Sequence, residues 1–211
     1  YNLTITSGNT IGLFGVINGG VVRNIKLTNY SIKGGSNVAV IAGKMIGATL
    51  DNVHIDGDVS GTSCVGGFVA DADSDTNISN STVKGNVFNI HASSTGNVGG
   101  FAGKGGNYSN CVMYATIEGC ILIGGFVGGY KIDSSFENCF MAGTIHMRSG
   151  FSNNYPYFGI ANGYGAWSSY YLTNSGQRLN VSYTSSKEVA QIDIFNASLA
   201  YDGLSVSVPT S

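Results

Sequence analysis

Proline is nearly absent from this sequence, with two among 211 residues, and charge is scarce, at 10% of the chain. Ten basic against twelve acidic residues leave a formal net charge of −2. No basic stripe of the kind that grips a phosphate backbone is present, so no nucleic-acid partner is expected. No apolar run reaches the roughly 18 residues a membrane-crossing helix needs, so direct membrane insertion is not expected either. The four cysteines, Cys64, Cys111, Cys120 and Cys139, include no C-x-x-C pair, and no histidine stands at zinc-finger distance. His54, His91 and His146 are scattered, with no H-E-x-x-H and no G-x-S-x-G elbow beside them. The chain opens on Tyr1 with no signal peptide, as expected of a mature chain or an excised piece.

Glycine is what the sequence has in excess: 32 residues without a strict Gly-X-Y period, which excludes collagen. With 43% hydrophobic residues there is enough apolar material for a core. The stretch "NVGGFAGKGG" has the look of a phosphate-binding loop. Val98, however, stands where the first glycine should be, and Gly105 replaces the Ser or Thr that would ligate magnesium. "VIAGKMIG" fails at the same two places, with Val38 and Met45.

Repetition explains the glycines better. "TIGLFGVINGG", "NVAVIAGKMIG", "SCVGGFVADAD", "NVGGFAGKGGN", "ILIGGFVGGYK" and "YPYFGIANGYG" align to place Phe14, Ile41, Phe68, Phe101, Phe126 and Ile160 at one position. A second anchor follows each of the first five, in "RNIKL", "DNVHI", "SNSTV", "SNCVM" and "ENCFM", aligning Asn24, Asn52, Asn80, Asn110 and Asn138. The sixth copy departs, with "SSYYL". Each copy reads as short alternating strands around a Gly-rich bend, without a convincing helix. Irregular spacing with fixed anchors is the signature of a coil stacked on itself. The expected fold is all-β: a single-stranded parallel β-solenoid, or β-helix, of about six coils. Counterpart residues then lie about 4.8 Å apart along the stack. Phe14, Phe68, Phe101 and Phe126 form an inward ladder interrupted by Ile41. The asparagines form a second ladder, each amide bonding the next. A glycine is expected wherever a Cβ would collide with the neighbouring coil or force a strained φ, and Lys104 is expected to point into water.

The blocks "IGLFGVINGGVVRNIKLTNYSIKG", "SCVGGFVADADSDTNISNSTVKGNV" and "LIGGFVGGYKIDSSFENCFMAGTI" resemble GLUG-motif repeats, found in large bacterial and protist surface proteins outside their catalytic parts. The resemblance covers roughly residues 11–176. It implies a β-solenoid on an adhesin-like or cell-wall-associated protein, extracellular or at the cell surface, and no shared catalytic residue.

The domain reading is a solenoid over 1–176, a C-terminal cap over 177–205 and a linker over 206–211. In "SSKEVAQIDIFNASL", Ser185 and Glu188 form a capping box, with Val189, Ile192 and Phe195 on one face. A short helix closing the open end of the stack is the expectation, with an irregular strand pair as the alternative.

Several residues invite chemistry. Asp71, Asp73, Asp75 and Asn77 have the spacing of the first half of a calcium loop, but Thr76 and Thr82 stand where its glycine and closing glutamate belong. An opportunistic calcium site and a solvated acidic corner are the two readings; no other cofactor is indicated. Cys111 and Cys139 fall at one repeat position in adjacent coils, within disulfide range, or pack as small buried thiols. Asn2, Asn29, Asn77, Asn80, Asn107, Asn180 and Asn196 head N-x-S/T sequons, which permit a glycoprotein without proving one. Aromatics crowd "NNYPYFGIANGYGAWSSYYL", either a contact surface or a packing plug. The functional expectation is a non-catalytic stalk or binding scaffold for glycans or host and matrix proteins. Two alternatives stand beside it. One is a self-assembling filament subunit stacked end to end. The other is a glycan-degrading β-helix enzyme, for which Asp51, Asp56, Asp58, Asp133 and Glu137 would have to converge.

Overall fold

The computed structural model describes residues 3–91, 96–120, 122–129, 134–141, 143–147, 170–172 and 187–189. All regular structure among them is β-strand, and coil lies upon coil in parallel register. The fold is a stack of five described coils. Each coil contributes one strand to each of two five-stranded sheets. The first sheet comprises Thr10–Ile11, Asn37–Val38, Cys64–Gly66, Asn97–Gly99 and Ile123–Gly124. The second comprises Phe14–Asn18, Ala42–Ile46, Val69–Ala72, Ala102–Lys104 and Val127–Gly129. A long third stretch then completes the turn. It is continuous in Val21–Lys33 and Thr49–Gly61 and divided in later coils, as in Asn77–Ser79 followed by Thr82–Asn89. Of the sixth copy, only the strand Tyr170–Leu172 is among the described residues, laid on Phe140–Met141.

The recurring asparagine is a backbone requirement before it is a side-chain one. Asn24, Asn52, Asn80, Asn110 and Asn138 all adopt positive φ, between 49° and 59°. Left-handed backbone is a conformation asparagine tolerates better than most residues. One such residue reverses the strand's alternation. Leu50 and Val53 therefore both point inward, as do Ile78 and Ser81, and Tyr108 and Cys111. The corner turns the third stretch around the core without opening it.

The core is a set of columns. Phe68, Phe101 and Phe126 stack with centroid separations of 4.8 and 4.6 Å. Tyr108 and Phe136 form a second aromatic column, stacked 5.1 Å apart with nearly parallel rings. The two meet edge to face, Phe101 against Tyr108 at 5.8 Å and Phe126 against Phe136 at 6.0 Å. Such geometry places ring edges on ring faces, adding about 0.5–1.5 kcal/mol per pair beyond area burial. Ile41 continues the first column as expected, fully buried.

Phe14 does not join it. Between Ile11 and Phe14 the first coil has two residues, where the next has three, 39–41. Phe14 therefore pairs with Ala42 rather than Ile41 and turns outward, 43% exposed. The capping helix is also corrected where it can be seen: Lys187–Val189 is a strand laid parallel on Tyr170–Leu172. The rest of that proposed helix lies outside the described residues.

The glycines of the repeat answer to close approach more than to φ. Gly66, Gly99, Gly103 and Gly128 line a seam where strands of the first sheet press against those of the second, back to back. A Cβ on Gly99 would come within 2.6 Å of the Gly128 nitrogen and the Phe126 oxygen. One on Gly103 would meet the Cys64 sulfur at 2.6 Å and the Ala70 oxygen at 2.7 Å. The Gly-Gly-Phe bend thus folds the wall inward, sends its ring to the core and closes the two arms on each other. Lys104, beside this seam, does not simply face water: its Nζ lies 3.2 Å from Asp71 of the coil below.

Candidate functional site

The polar side chains concentrate on the outer surface of the third stretch, beginning at the asparagine corner. Asn52 Nδ2 donates to Asn24 Oδ1 at 2.8 Å, Asn110 to Asn80 and Asn138 to Asn110 at 3.3 Å each. The remaining rung is diverted: Asn80 Nδ2 donates to Asp51 Oδ1 at 2.8 Å instead of to Asn52. Asp51 also accepts the Ser79 hydroxyl at 2.8 Å. These bonds from Asn80 and Ser79, with help from nearby Arg23, hold its carboxyl below the usual carboxylate range although burial opposes them.

The released Asn52 carbonyl turns to His54, whose Nε2 lies 2.9 Å away, while Nδ1 lies 2.8 Å from the Thr82 hydroxyl of the next coil. Desolvation, then the charge of Lys26, pushes this imidazole below its ordinary value and favours the neutral ring. Further along, Asn86 donates to Asp58 at 2.6 Å, and Thr144 to Thr116 at 3.2 Å. Apart from the His54–Asn52 contact, which lies within one coil, each bond runs along the stack axis from one coil to its neighbour.

The carboxylates proposed for a lyase or hydrolase do not converge. Glu137 shares a column with Asp51, but Ser79 and Ser109 stand between them. Three inter-strand steps amount to roughly 14 Å, beyond the span of a glycosidase pair. Asp56 and Asp58 flank the buried Tyr30, whose hydroxyl is driven well above its ordinary value by burial first and by these two charges second. Asp133 lies outside the described residues.

The calcium corner is dispersed as well. Asp71 is paired with Lys104. Asp73 turns to the coil below, where both carboxylate oxygens accept the Gly47 N–H at 3.0 Å, and takes the Thr76 hydroxyl at 2.7 Å. Burial disfavours its charge, yet the N–H of Gly47 and the Thr76 hydroxyl outweigh that and hold the carboxyl below its ordinary value. Asp75 is exposed, and its carbonyl accepts the Asn77 amide at 2.9 Å. Among the described residues no group of His, Cys, Asp or Glu is placed to hold a metal. Alternate residues on a strand end that turns, as 73–76 do, point to different partners.

Cys111 and Cys139 are thiols. Each donates to the carbonyl two residues back, Ser109 at 3.2 Å and Glu137 at 3.4 Å, just as Ser81 does to Ser79. Ser81 extends the shared repeat position of the two cysteines, so the residue after Asn80, Asn110 and Asn138 forms an inward column of small donors below the asparagine corner. Of the sequons, Asn29, Asn77 and Asn80 are exposed. Asn107 is half-buried, with Oδ1 accepting from the N–H and hydroxyl of Ser135 at 3.1 and 3.0 Å. Asn2, Asn180 and Asn196 lie outside the described residues, as does the aromatic cluster apart from Tyr170 and Tyr171.

Fold and surface together define a parallel β-solenoid whose polar groups tie coil to coil. Residues 61–87 match the family model described as the GLUG motif. The chain is 29% identical over 158 residues to an immunoglobulin A1 protease of Streptococcus pneumoniae, covering 70% of this chain and 8% of that protein. Over 71 residues it is 42% identical to halomucin of Haloquadratum walsbyi, covering 32% of this chain and 1% of that protein. The zinc metalloprotease ZmpC of Streptococcus pneumoniae is 36% identical over 93 residues, covering 44% of this chain and 5% of that protein. The chain therefore spans less than a tenth of the length of these relatives. A Bacteroides ovatus crystal structure, provisionally assigned as an immunoglobulin A1 protease, matches with a TM-score of 0.52 at 12% identity, over 95% of this chain and 70% of that one. That likeness concerns the fold.

Proposed function

We propose that this chain is a non-catalytic repeat module, without a cofactor of its own, that serves as a rigid stalk or binding scaffold of an extracellular or cell-surface protein. One observation carries the reading: the outward polar groups bond along the stack instead of converging on a common point. Asp51, Asp58, Asp71 and Asp73 each bond to an adjacent coil. A catalytic carboxylate needs a partner across a substrate; a carboxylate held by its neighbours along the axis stiffens a rod. The location is inferred from the relatives. A protease named for immunoglobulin A1 meets its substrate outside the cell, and the shared region is a small part of it. Partners of the module are glycans or host and matrix proteins, bound by the polar outer columns and variable corners. An array of such ligands, probed with the monodisperse chain with and without calcium, tests this. Retention of a glycan or matrix protein supports the scaffold, and silence across the array removes the binding role.

A second reading, end-to-end assembly, has its own observation. The first coil exposes Leu13, Phe14 and Val16, and among the described residues Phe14–Asn18 pairs with Ala42–Ile46 on one side only. Open solenoid ends are where further strands add. Light scattering that rises with concentration, and falls on Val16→Lys, would favour it.

A further inference from the structure

We propose that Cys111 and Cys139 form a redox-controlled staple between the fourth and fifth coils, reduced in this structure and closed by exchange with a low-molecular-weight disulfide. The register brackets the pair on both sides. Ser109 lies on Glu137 and Val112 on Phe140, and the Asn110 N–H donates to the Glu137 carbonyl at 3.0 Å. The two cysteines are thus direct neighbours, one inter-strand step or about 4.8 Å apart, within the Cα separation a disulfide spans. Both follow a left-handed asparagine, and both side chains enter the core fully buried. Burial first, and the neighbouring Cys111 thiol second, push the Cys139 thiol well above its ordinary value.

The chemistry balances as two exchanges. A cysteine thiolate attacks the small disulfide, forming a mixed disulfide and releasing one small thiolate. The second cysteine thiolate then attacks the protein sulfur of that mixed disulfide and expels the other. The protein loses two thiol protons and two electrons, and the small disulfide becomes two thiols. Closure gives up the two S–H bonds to the Ser109 and Glu137 carbonyls. Those carbonyls stay occupied or exposed to partners along the ladder, since they also accept the N–H of Asn80 and Asn110.

Burial sets the kinetics. Neither sulfur is reachable in the closed stack, so attack waits for the fifth coil to lift from the fourth. Oxidation therefore reports local opening at this end, and the staple forbids that opening once formed. An extracellular setting is oxidising enough for such a bond to persist. The inference stands apart from what the module binds.

The test is incubation of the full chain in glutathione buffers of graded oxidised-to-reduced ratio, alkylation of remaining thiols, and peptide mapping. A Cys111–Cys139 linked peptide should accumulate as the ratio rises, its rate increasing at sub-denaturing urea. Melting temperature should rise on oxidation in the wild type and stay fixed in Cys139→Ser. That variant should fold, because Ser81 already occupies the same column two coils below. Absence of the linked peptide at the oxidising limit, or linkage distributed equally to Cys64 and Cys120, would overturn the proposal.

Discussion

Replacing Gly99 with alanine should damage this fold severely although its backbone conformation is ordinary. The added Cβ would fall on the Ala102 carbonyl and within 2.6 Å of the Gly128 nitrogen and the Phe126 oxygen, all backbone atoms. No rotamer change relieves such contacts, so the two arms of the seam must part across two coils. Overpacking of this kind costs about 1–3 kcal/mol, and backbone obstacles argue for the upper end. In a chain of this size about 2–3 kcal/mol lowers the melting temperature by roughly 4–12 °C. Two comparison variants separate the causes. At Gly15 the new Cβ meets only the Thr10 oxygen at 3.7 Å, so alanine should be nearly neutral. At Gly19 nothing lies within 4 Å but φ is +69°, so alanine should cost about 1–2 kcal/mol through strain alone. Circular dichroism melts of the three variants provide the assay. A Gly99→Ala protein as stable as Gly15→Ala would refute the back-to-back seam.

The asparagine corner predicts a graded series: Asn110→Gly keeps the left-handed backbone and loses two amide rungs, whereas Asn110→Val also forces φ. Urea unfolding should place the glycine variant about 1 kcal/mol below wild type and the valine variant a further 1–2 kcal/mol down. Phe101→Ala removes the middle ring of three and should cost about 3–5 kcal/mol in the same assay. Lys104→Ala breaks its ion pair with Asp71 near the surface and should change stability by less than about 1 kcal/mol. The folded values of Asp51 and Asp73 are depressed, so their contribution is complete above the ordinary carboxylate range and is lost as pH falls through the folded values. His54 is depressed too, so its contribution is present above its ordinary value and declines on acidification below it. Stability measured from pH 7 to pH 2 should decline only on the acid side, and Asp73→Asn should flatten the lowest part of the curve.

Much of this architecture was legible in the chain because solenoid repeats write each column several times. The alignment of Phe68, Phe101 and Phe126, and of the five asparagines, identified residues that the structure stacks. Phe14 leaves its aligned column because the bend before it is one residue shorter than in the next coil, which shifts the register while the letters still align. The Tyr108–Phe136 column carries no letter signal, because Leu50 and Ile78 precede them in it and the hydrophobic identity changes from coil to coil. The positive φ at the asparagines was hidden behind a simpler role, the amide ladder. The diversion of Asn80 to Asp51 depends on a neighbouring coil's side chain, which no single repeat reveals. Likewise the calcium spacing of Asp71, Asp73 and Asp75 is a pattern in one strand, while the Gly47 and Lys104 partners that disperse it come from other coils.

Whether the outward polar groups hold coils together and do no chemistry is tested most directly by mass. The chain would be incubated with immunoglobulin A1 and with a panel of extracellular glycans, and the substrates weighed before and after. Unchanged masses at every substrate are the predicted result. Fragments that appear with the wild type and vanish with Asp51→Asn would contradict it.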